Sequence, residues 1–215
     1  MSLVLLGDYT MKFEDTEVWG FEHAIRGMRN PLESWKKSDS FIKSPHNYYV
    51  IGPNDMKLMK TLIKAGPEHR KFLRQIFISV DITAPLYWWK EFDTYKVGTV
   101  TDSCSTMHKL KDTPITVDCF EMDDYCGFFE TPWKNLIALL EQCRKEYNET
   151  KDKRYWKELI RLLPESWLQK RTVTMSYENV ANMYSQRMNH KLTEWSEDFI
   201  QWADNLPYFK ELFTV

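Results

Sequence analysis

Alternating apolar and polar residues mark the clearest strand of this chain at residues 76–82. Every second position there is apolar: Ile76, Ile78, Val80 and Ile82. A period of two places one side of a strand against a core. Thr83-Ala84-Pro85 follows and predicts the start of a helix, with Thr83 as N-cap and Pro85 in the first turn. Residues 2–6 and 9–13 suggest an N-terminal strand, 115–122 a further strand, and 95–107 an irregular loop.

Helical patterns predict most of the remaining elements. Helices are expected at 21–28, at 53–65, from Thr131 onward and at 152–163. The longest apolar stripe runs from Val180 to Leu206 and predicts an amphipathic helix of about eight turns, with Ser176 as its N-cap. Because strands and helices do not alternate strictly, we expect an α+β fold, an antiparallel or mixed sheet packed with helices, as a single domain over residues 1–215.

Composition excludes several classes of protein. The 215 residues are 43% hydrophobic and 15% aromatic, which is ample for a packed core. The 29 basic and 31 acidic residues nearly balance, so no global charge favours nucleic acid or an anionic membrane. No apolar run approaches the ~20 residues that span a bilayer, and no signal peptide is evident, so we expect a cytoplasmic protein. The cysteines lack a CxxC pair, which favours free thiols over disulfides or a metal site.

Two arginines are candidates for binding a phosphate. Arg161 is expected on the inner side of Arg161-Leu-Leu-Pro164, and Arg187 at the edge of the C-terminal apolar stripe. A buried guanidinium is costly unless it meets a carboxylate or a phosphate. Each arginine therefore either grips a nucleotide phosphate or forms an ion pair, for which the available carboxylates are Glu158, Glu178 and Glu194.

Two lysines and a cysteine are further candidates. Lys90 and Lys96 flank an aromatic segment and a loop rich in Thr and Ser. Such a cation beside hydroxyls and backbone N–H groups either holds phosphate or remains solvated. Cys104 lies among hydroxyl residues and is either a reactive thiol or an ordinary one, since no base is visible near it in the sequence.

The order of these segments resembles the flavin-dependent thymidylate synthases. In that family a strand leads through an Ala-Pro turn to a helix, then to a motif close to RHRxxSxNxxSxR, and ends in Lys-Leu. Here Thr83-Ala84-Pro85 and His108-Lys109-Leu110 bracket the same spacing. The motif's RHR falls on Thr94-Tyr95-Lys96. Its other positions, with an acidic residue before the second Ser, fall on Thr99, Thr101, Asp102, Cys104 and Thr106.

The C-terminal half resembles the same family. A pattern like RxxLP, then a Thr, an Asn and a helix ending in Arg, is similar to Arg161-Leu-Leu-Pro164, Thr174, Asn182 and Arg187. Ser176 stands where the family has Asn, and Glu178 stands where it has a basic residue. The resemblance covers most of the chain outside residues 111–150.

The resemblance implies a specific set of ligands and roles. Family members form homotetramers that bind FAD and methylate dUMP to dTMP with methylenetetrahydrofolate and NADPH. Lys96, Thr99 and Cys104 would occupy catalytic positions, and Lys96, Ser176 and Asn182 would hold FAD. The residues that would contact dUMP are Lys90, Asp102, Cys104, Arg161 and Arg187.

Three hypotheses remain open on the sequence. The first is an active FAD-dependent enzyme that makes dTMP. The second is a nucleotide-binding relative with altered or lost catalysis, favoured over the first by the Lys and Thr replacements in the motif. The third is a protein-interaction module that uses its tryptophan-rich surfaces. Arg161 and Arg187 favour the first two.

Overall fold

A computed structural model describes residues 11–44, 48–123 and 126–213. The strands and helices follow in the order β1 (Lys12–Trp19), α1 (Phe21–Arg29), β2 (Phe41–Lys43), β3 (Tyr48–Val50), α2 (Pro53–Lys64), β4 (Phe77–Pro85), α3 (Leu86–Phe92), β5 (Val100–Ser103), α4 (Thr106–Lys109), α5 (Glu130–Thr150), α6 (Lys153–Leu162), β6 (Leu168–Ser176), α7 (Tyr177–Arg187), a π-helix (Glu194–Phe199), α8 (Ile200–Asp204) and α9 (Phe209–Phe213). The N-terminal strand expected at 2–6 lies outside the described residues.

Strands β1, β4, β6 and β5 form a four-stranded sheet in that order, and β2 and β3 form an antiparallel hairpin. The alternation predicted for β4 is confirmed, since Ile78, Val80 and Ile82 are at most 1% exposed. Sequence analysis assigned no strand to residues 168–176, although β6 alternates in the same way, with Val173 and Met175 fully buried on one face.

The predicted N-cap at Thr83 was wrong. Strand β4 continues through Thr83 to Pro85, and α3 begins at Leu86 with Pro85 as its N-cap. No side-chain cap is needed, because the amide N–H groups of Leu86 and Tyr87 donate to the carbonyl oxygens of Trp167 and Glu165. Main-chain acceptors from a distant segment thus satisfy the amides that a capping side chain would otherwise satisfy.

The described chain divides into two compact units, and each is assembled from several segments. The first unit contains residues 11–13, 81–94 and 101–172, and the second contains 14–80, 95–100 and 173–213. Each strand of the four-stranded sheet contributes residues to both units. The expectation of a single domain over 1–215 stays a prediction.

In the second unit, helices α1 and α7 contact the 3-10 segment Lys71–Gln75. Ile25, Leu73, Tyr177 and Val180 are at most 2% exposed there. The Tyr177 hydroxyl donates to the carbonyl oxygen of Pro207 at 2.7 Å, and burial strongly raises the pKa of this phenol. Helix α2 lies at Pro53–Lys64, close to its predicted range, and Met59 is its fully buried apolar residue.

In the first unit, residues 110–163 form a hydrophobic cluster around α5 and α6. Its buried members are Leu110, Ile115, Phe120, Met122, Leu140, Cys143 and Leu159. The predicted helices α5 and α6 are confirmed, but the strand predicted at 115–122 was wrong. That segment contains a 3-10 turn at Val117–Cys119 and one isolated bridge from Phe120 to Trp167. Ile115, Phe120 and Met122 of this segment are buried, but apart from that bridge no strand in the described part of the chain pairs with it.

The C-terminal helix predicted from Val180 to Leu206 is interrupted. Helix α7 ends at Arg187, and regular structure resumes as the π-helix Glu194–Phe199. Within the break, the Leu192 amide donates to Nδ1 of His190 at 3.2 Å. Val180 and Tyr184 before the break and Trp195 and Phe199 after it are buried, whereas Met188 of the same stripe is 45% exposed. A hydrophobic period reports which way side chains face, not whether the backbone hydrogen bonds are continuous.

Candidate functional site

The N-terminus of α7 is capped by Ser176, as the sequence predicted. The Ser176 hydroxyl accepts from the Asn179 amide N–H and donates to Oδ1 of Asn179. The Ser176 amide also donates to Oδ1 of Asn179 at 3.1 Å, which completes a capping box. Nδ2 of Asn179 donates to the carbonyl oxygen of Val97 at 2.8 Å. The cap therefore ties the segment 95–100 to the start of α7.

Arg187, at the other end of α7, lies between two aromatic rings. Its guanidinium carbon is 4.9 Å from the centroid of Trp195 and 5.4 Å from that of Tyr95. Nε of Arg187 donates to the Tyr95 hydroxyl at 2.9 Å, and that hydroxyl donates to Oε1 of Gln186. Both rings attract the cation, and the hydrogen bond to the Tyr95 hydroxyl orients it. A half-buried, oriented guanidinium of this kind suits bidentate hydrogen bonding to two oxygens of a phosphate.

Arg70 is a second cationic residue that contacts side chains of α7. Its Nε and Nη2 atoms donate to Oε1 of Glu178 at 3.2 and 3.1 Å, and Nη2 also donates to Oδ1 of Asn182 at 2.9 Å. The Glu178 side chain is 10% exposed, and its Oε2 atom is buried without a hydrogen-bond partner in the described part of the chain. Arg70 therefore holds the carboxylate that replaces a basic residue of the family pattern.

The predicted residues Lys96 and Thr99 lie in the segment 95–100. Lys96 is exposed and forms no ion pair within the described ranges. The Thr99 hydroxyl donates to the carbonyl oxygen of Tyr95 at 3.5 Å, a weak hydrogen bond. Gly98 has φ +79°, a backbone conformation that favours glycine, while a Cβ there would make only an ordinary contact with Oδ1 of Asn179.

Cys104 and Asp102 lie in the first unit. Cys104 is exposed and carries a free thiol. Its amide donates to the carbonyl oxygen of Lys170 at 2.9 Å, and its carbonyl oxygen accepts from Nε2 of Gln169 at 2.8 Å. These bonds hold the backbone of Cys104 against β6. Asp102 is an exposed residue of β5.

Strand β6 carries a basic pair that sequence analysis missed. Arg171 lies over the Trp89 ring, with 4.2 Å between the guanidinium carbon and the ring centroid, and donates to Asp93 and to Oε1 of Gln169. Its side chain is only 14% exposed. Its neighbour Lys170 pairs with Asp81 at 3.0 Å.

The carboxylate of Asp81 also accepts a hydrogen bond from Thr172. Hydrogen bonds from Thr172 and then Lys170 lower the pKa of Asp81.

The sequence did carry a signal for Arg171. Arg171 lies on the buried face of β6, and a charged residue at an inward position of an alternating strand could have identified it as a candidate.

Two predicted basic residues form exposed ion pairs in the first unit. Lys90 pairs with Glu165 at 2.6 Å. Arg161 is 56% exposed and pairs with Glu158 on the same helix at a spacing of three residues. The inner position expected for Arg161 was wrong, because Leu159 occupies the buried face of α6. Glu158 is one of the carboxylates that the sequence offered as its partner.

The candidate residues therefore fall into two groups. In the second unit, Ser176, Asn182 and Arg187 lie on or next to α7, and the Asn179 and Tyr95 contacts hold the segment containing Lys96 and Thr99 beside them. In the first unit, Cys104 contacts β6, while the side chains of Lys90 and Arg161 are held by different carboxylates. The contacts of Arg70 and Tyr95 were missed, since both connect residues about 90 or more positions apart.

The arrangement is an α+β fold in which arginines are oriented by aromatic rings and carboxylates. No protein-family model matches the chain, and no curated protein matches it. Among the solved structures that are similar to it, two match over nearly their whole length. Both are the flavin-dependent thymidylate synthase ThyX from Helicobacter pylori with FAD and dUMP.

The first of these structures has a TM-score of 0.70 and 16% sequence identity, and the match covers 95% of this chain and 98% of that chain. The second has a TM-score of 0.69 at the same identity, covering 95% and 97%. The fold of this chain is therefore that of the flavin-dependent thymidylate synthases, as the motif order predicted. No helix in the described ranges is long and apolar enough to cross a membrane.

Proposed function

We propose that this chain is a flavin-dependent thymidylate synthase-like protein that binds FAD and dUMP and methylates dUMP to dTMP. The observation that carries the proposal is the match over 95% of the chain to ThyX bound to FAD and dUMP. It is supported by the guanidinium of Arg187, which contacts Trp195 and which the sequence resemblance aligns with the family's helix-ending arginine. Methylenetetrahydrofolate as methylene donor, NADPH as reductant and a homotetrameric assembly belong to this proposal.

The donor set of the second unit fits an anionic nucleotide. Arg187 is restrained by a hydrogen bond to Tyr95 and by its contacts with the Tyr95 and Trp195 rings, so it loses less side-chain entropy when it binds a phosphate. Lys96, which follows Tyr95 in the sequence, is exposed and forms no ion pair among the described residues. The guanidinium of Arg187 and the ammonium group of Lys96 can each donate hydrogen bonds to phosphate oxygens.

The same unit fits FAD in part. Oδ1 of Asn182 accepts from Arg70, which leaves the Asn182 amide N–H₂ group available to donate to a flavin carbonyl or ribityl oxygen. Ser176 fits less well, because its hydroxyl is engaged in the capping box. Lys96 and Asn182 are therefore the FAD contacts on this proposal, and Ser176 positions them by fixing α7. Bound flavin would supply the redox chemistry, and the protein the binding and orientation.

Cys104 and Asp102 are assigned to the dUMP side of the site by the family pattern. The backbone of Cys104 is fixed by hydrogen bonds to β6, while its thiol is exposed. Roles for Thr99, Lys90 and Arg161 stay predictions, since each is engaged by its own backbone or by a carboxylate.

The proposal is tested with the purified protein by its visible spectrum, by titration with FAD and dUMP, and by dUMP-dependent oxidation of NADPH in the presence of methylenetetrahydrofolate. We expect Arg187→Ala to weaken dUMP binding about ten- to a hundredfold, the loss of one or two charge-assisted hydrogen bonds. Arg187→Lys should give an intermediate loss, because it keeps the charge and removes the fork. Arg154→Ala, at an exposed arginine of α6, is the control.

A second candidate function is nucleotide binding without turnover. The family's RHR motif is represented here by Thr94, Tyr95 and Lys96, and two of these side chains have local partners. The Thr94 hydroxyl donates to the carbonyl oxygen of Glu91, and the Tyr95 hydroxyl binds Arg187 and Gln186. Binding of dUMP and FAD with no dTMP formed would establish this candidate. Binding of neither ligand would contradict both and favour a protein-interaction role.

A further inference from the structure

A pocket of about 590 Å³ lies in the second unit, among residues that have no part in the proposed nucleotide site. It is bounded by the end of β1 and the start of α1, by the β2–β3 hairpin, and by residues 207–211. Its volume falls within the range of about 300–1,000 Å³ that small-molecule sites occupy. Its lining combines aromatic rings with two carboxylates, and these two kinds of group together indicate a class of ligand.

Aromatic side chains form much of the lining. Trp19 and Tyr48 are 46% and 48% exposed, and Tyr49 and Tyr208 are half-buried. Tyr208 is held firmly: its hydroxyl donates to the carbonyl oxygen of Tyr49 at 3.1 Å and accepts from the Ile51 amide at 3.3 Å. Its backbone has φ +61°, a conformation that a non-glycine residue keeps only where its surroundings impose it. The Tyr208 ring is therefore held in place before any ligand arrives.

Two carboxylates complete the lining. Glu22 lies in the first turn of α1 and Glu211 in α9. Neither carboxylate forms an ion pair or a hydrogen bond within the described ranges. Among the residues that the structure describes, those lining the pocket include no lysine, arginine or histidine. Burial, and then the charges of Asp55 and Glu22, raise the pKa of Tyr49, in keeping with a negative potential at this wall.

The chain itself places a cation on one of these rings. Nζ of Lys43 lies 5.6 Å from the centroid of the Tyr48 ring. Aromatic faces attract cations through their quadrupole, and recognition of organic ammonium groups commonly combines several rings with nearby carboxylates. An anion would be repelled by Glu22 and Glu211, a neutral ligand would gain no charge interaction with them, and a cation would be attracted by both.

We propose that this pocket binds a small organic cation, an ammonium group carrying alkyl substituents, through the aromatic faces of Trp19, Tyr48 and Tyr208 and the carboxylates of Glu22 and Glu211. The rings contact the alkyl groups, and the two carboxylates neutralise the charge. The proposal is independent of dTMP synthesis, since none of these residues belongs to the predicted nucleotide contacts.

Choline and 3,3-dimethylbutan-1-ol are the probes, since they share a shape and differ in charge. Titration calorimetry of the full chain should give saturable choline binding at least about tenfold tighter than binding of the neutral alcohol. Glu22→Gln and Glu211→Gln should each weaken choline binding about three- to tenfold, with no change for the alcohol. Glu17→Gln, an exposed acidic residue of β1 outside the pocket, is the matched control.

Three results would overturn the proposal: no saturable binding of choline, equal affinity for choline and the alcohol, or unchanged choline affinity in the double variant Glu22→Gln/Glu211→Gln. Folding of each variant is checked by its thermal unfolding midpoint, which these exposed substitutions should leave unchanged. Titrations of dUMP and FAD with the double variant separate the two proposals. Loss of choline binding with intact dUMP binding supports a distinct site.

Discussion

Asp55 is the buried acceptor around which the chain from Arg29 to Ser40 is arranged. Its side chain is fully buried and receives Nε of Arg29 at 2.6 Å. The hydroxyls of Ser38 and Ser40 donate to it at 2.7 Å, and the amides of Asp39 and Ser40 donate at 3.1 Å. Burial acts to raise the pKa of this carboxyl, but the hydrogen bonds from Ser40, Ser38 and Arg29 outweigh it and lower the pKa.

Replacing Asp55 by Ala should destabilise the protein severely. The substitution leaves the guanidinium of Arg29, which is 4% exposed, buried without its carboxylate. Breaking a buried ion pair from one side costs about 3–5 kcal/mol. At roughly 2–4 °C per kcal/mol for a chain of this size, the unfolding midpoint should fall by about 6–20 °C. Because the folded pKa is lowered, this contribution is fully present above the unfolded pKa of Asp and is lost as pH falls through the folded value.

The measurement is urea unfolding at pH 7 for the parent, Asp55→Ala, Arg29→Met and the double variant. The double-mutant cycle should give a coupling energy of about 2 kcal/mol or more between Asp55 and Arg29, because Arg29→Met removes the buried guanidinium that Asp55→Ala leaves without a carboxylate. Glu130→Ala, which breaks an exposed pair with Lys134, is the control and should cost less than ~1 kcal/mol. A cost below ~1 kcal/mol for Asp55→Ala would refute the assignment of a buried pair.

Two further predictions concern stability. Gly20→Ala should cost about 2–4 kcal/mol in urea unfolding, because a Cβ would lie 2.1 Å from the carbonyl oxygen of Gln75 on a backbone with φ +97°. Gly66→Ala, at φ +107° in open space, isolates the backbone strain and should cost only ~1 kcal/mol. A hydrogen bond from Arg144 lowers the pKa of Glu141 to about 2. The stabilisation by this pair is full above the pKa that Glu141 has in the unfolded chain. The unfolding free energies of the parent and Glu141→Gln should therefore differ by up to about 3 kcal/mol at pH 7, and this difference should shrink as pH falls from 5 toward 2. A difference that stays constant with pH would contradict the pairing.

The candidate site shows which residues a sequence can indicate. Ser176 was predicted as an N-cap from its place just before the apolar stripe, and its partner Asn179 is only three residues away in the chain. The role of Arg187 was limited to two alternatives, phosphate or carboxylate, and its aromatic neighbours were missed. Tyr95 is 92 positions away in the chain, and no periodic pattern encodes a contact at that separation.

The same distinction applies to the whole chain. Local hydrophobic periodicity and capping by themselves determined β4, α2, α5, α6 and the start of α7, because side-chain direction repeats at two or 3.6 residues whatever the partner. Motif order also indicated the fold that the solved structures share.

Only the tertiary structure decided where the long C-terminal stripe is interrupted, which carbonyls replace a cap at α3, and which carboxylate holds each arginine. These features depend on which distant backbone groups and charges meet in space. A buried polar group takes whatever partner the packed chain brings to it.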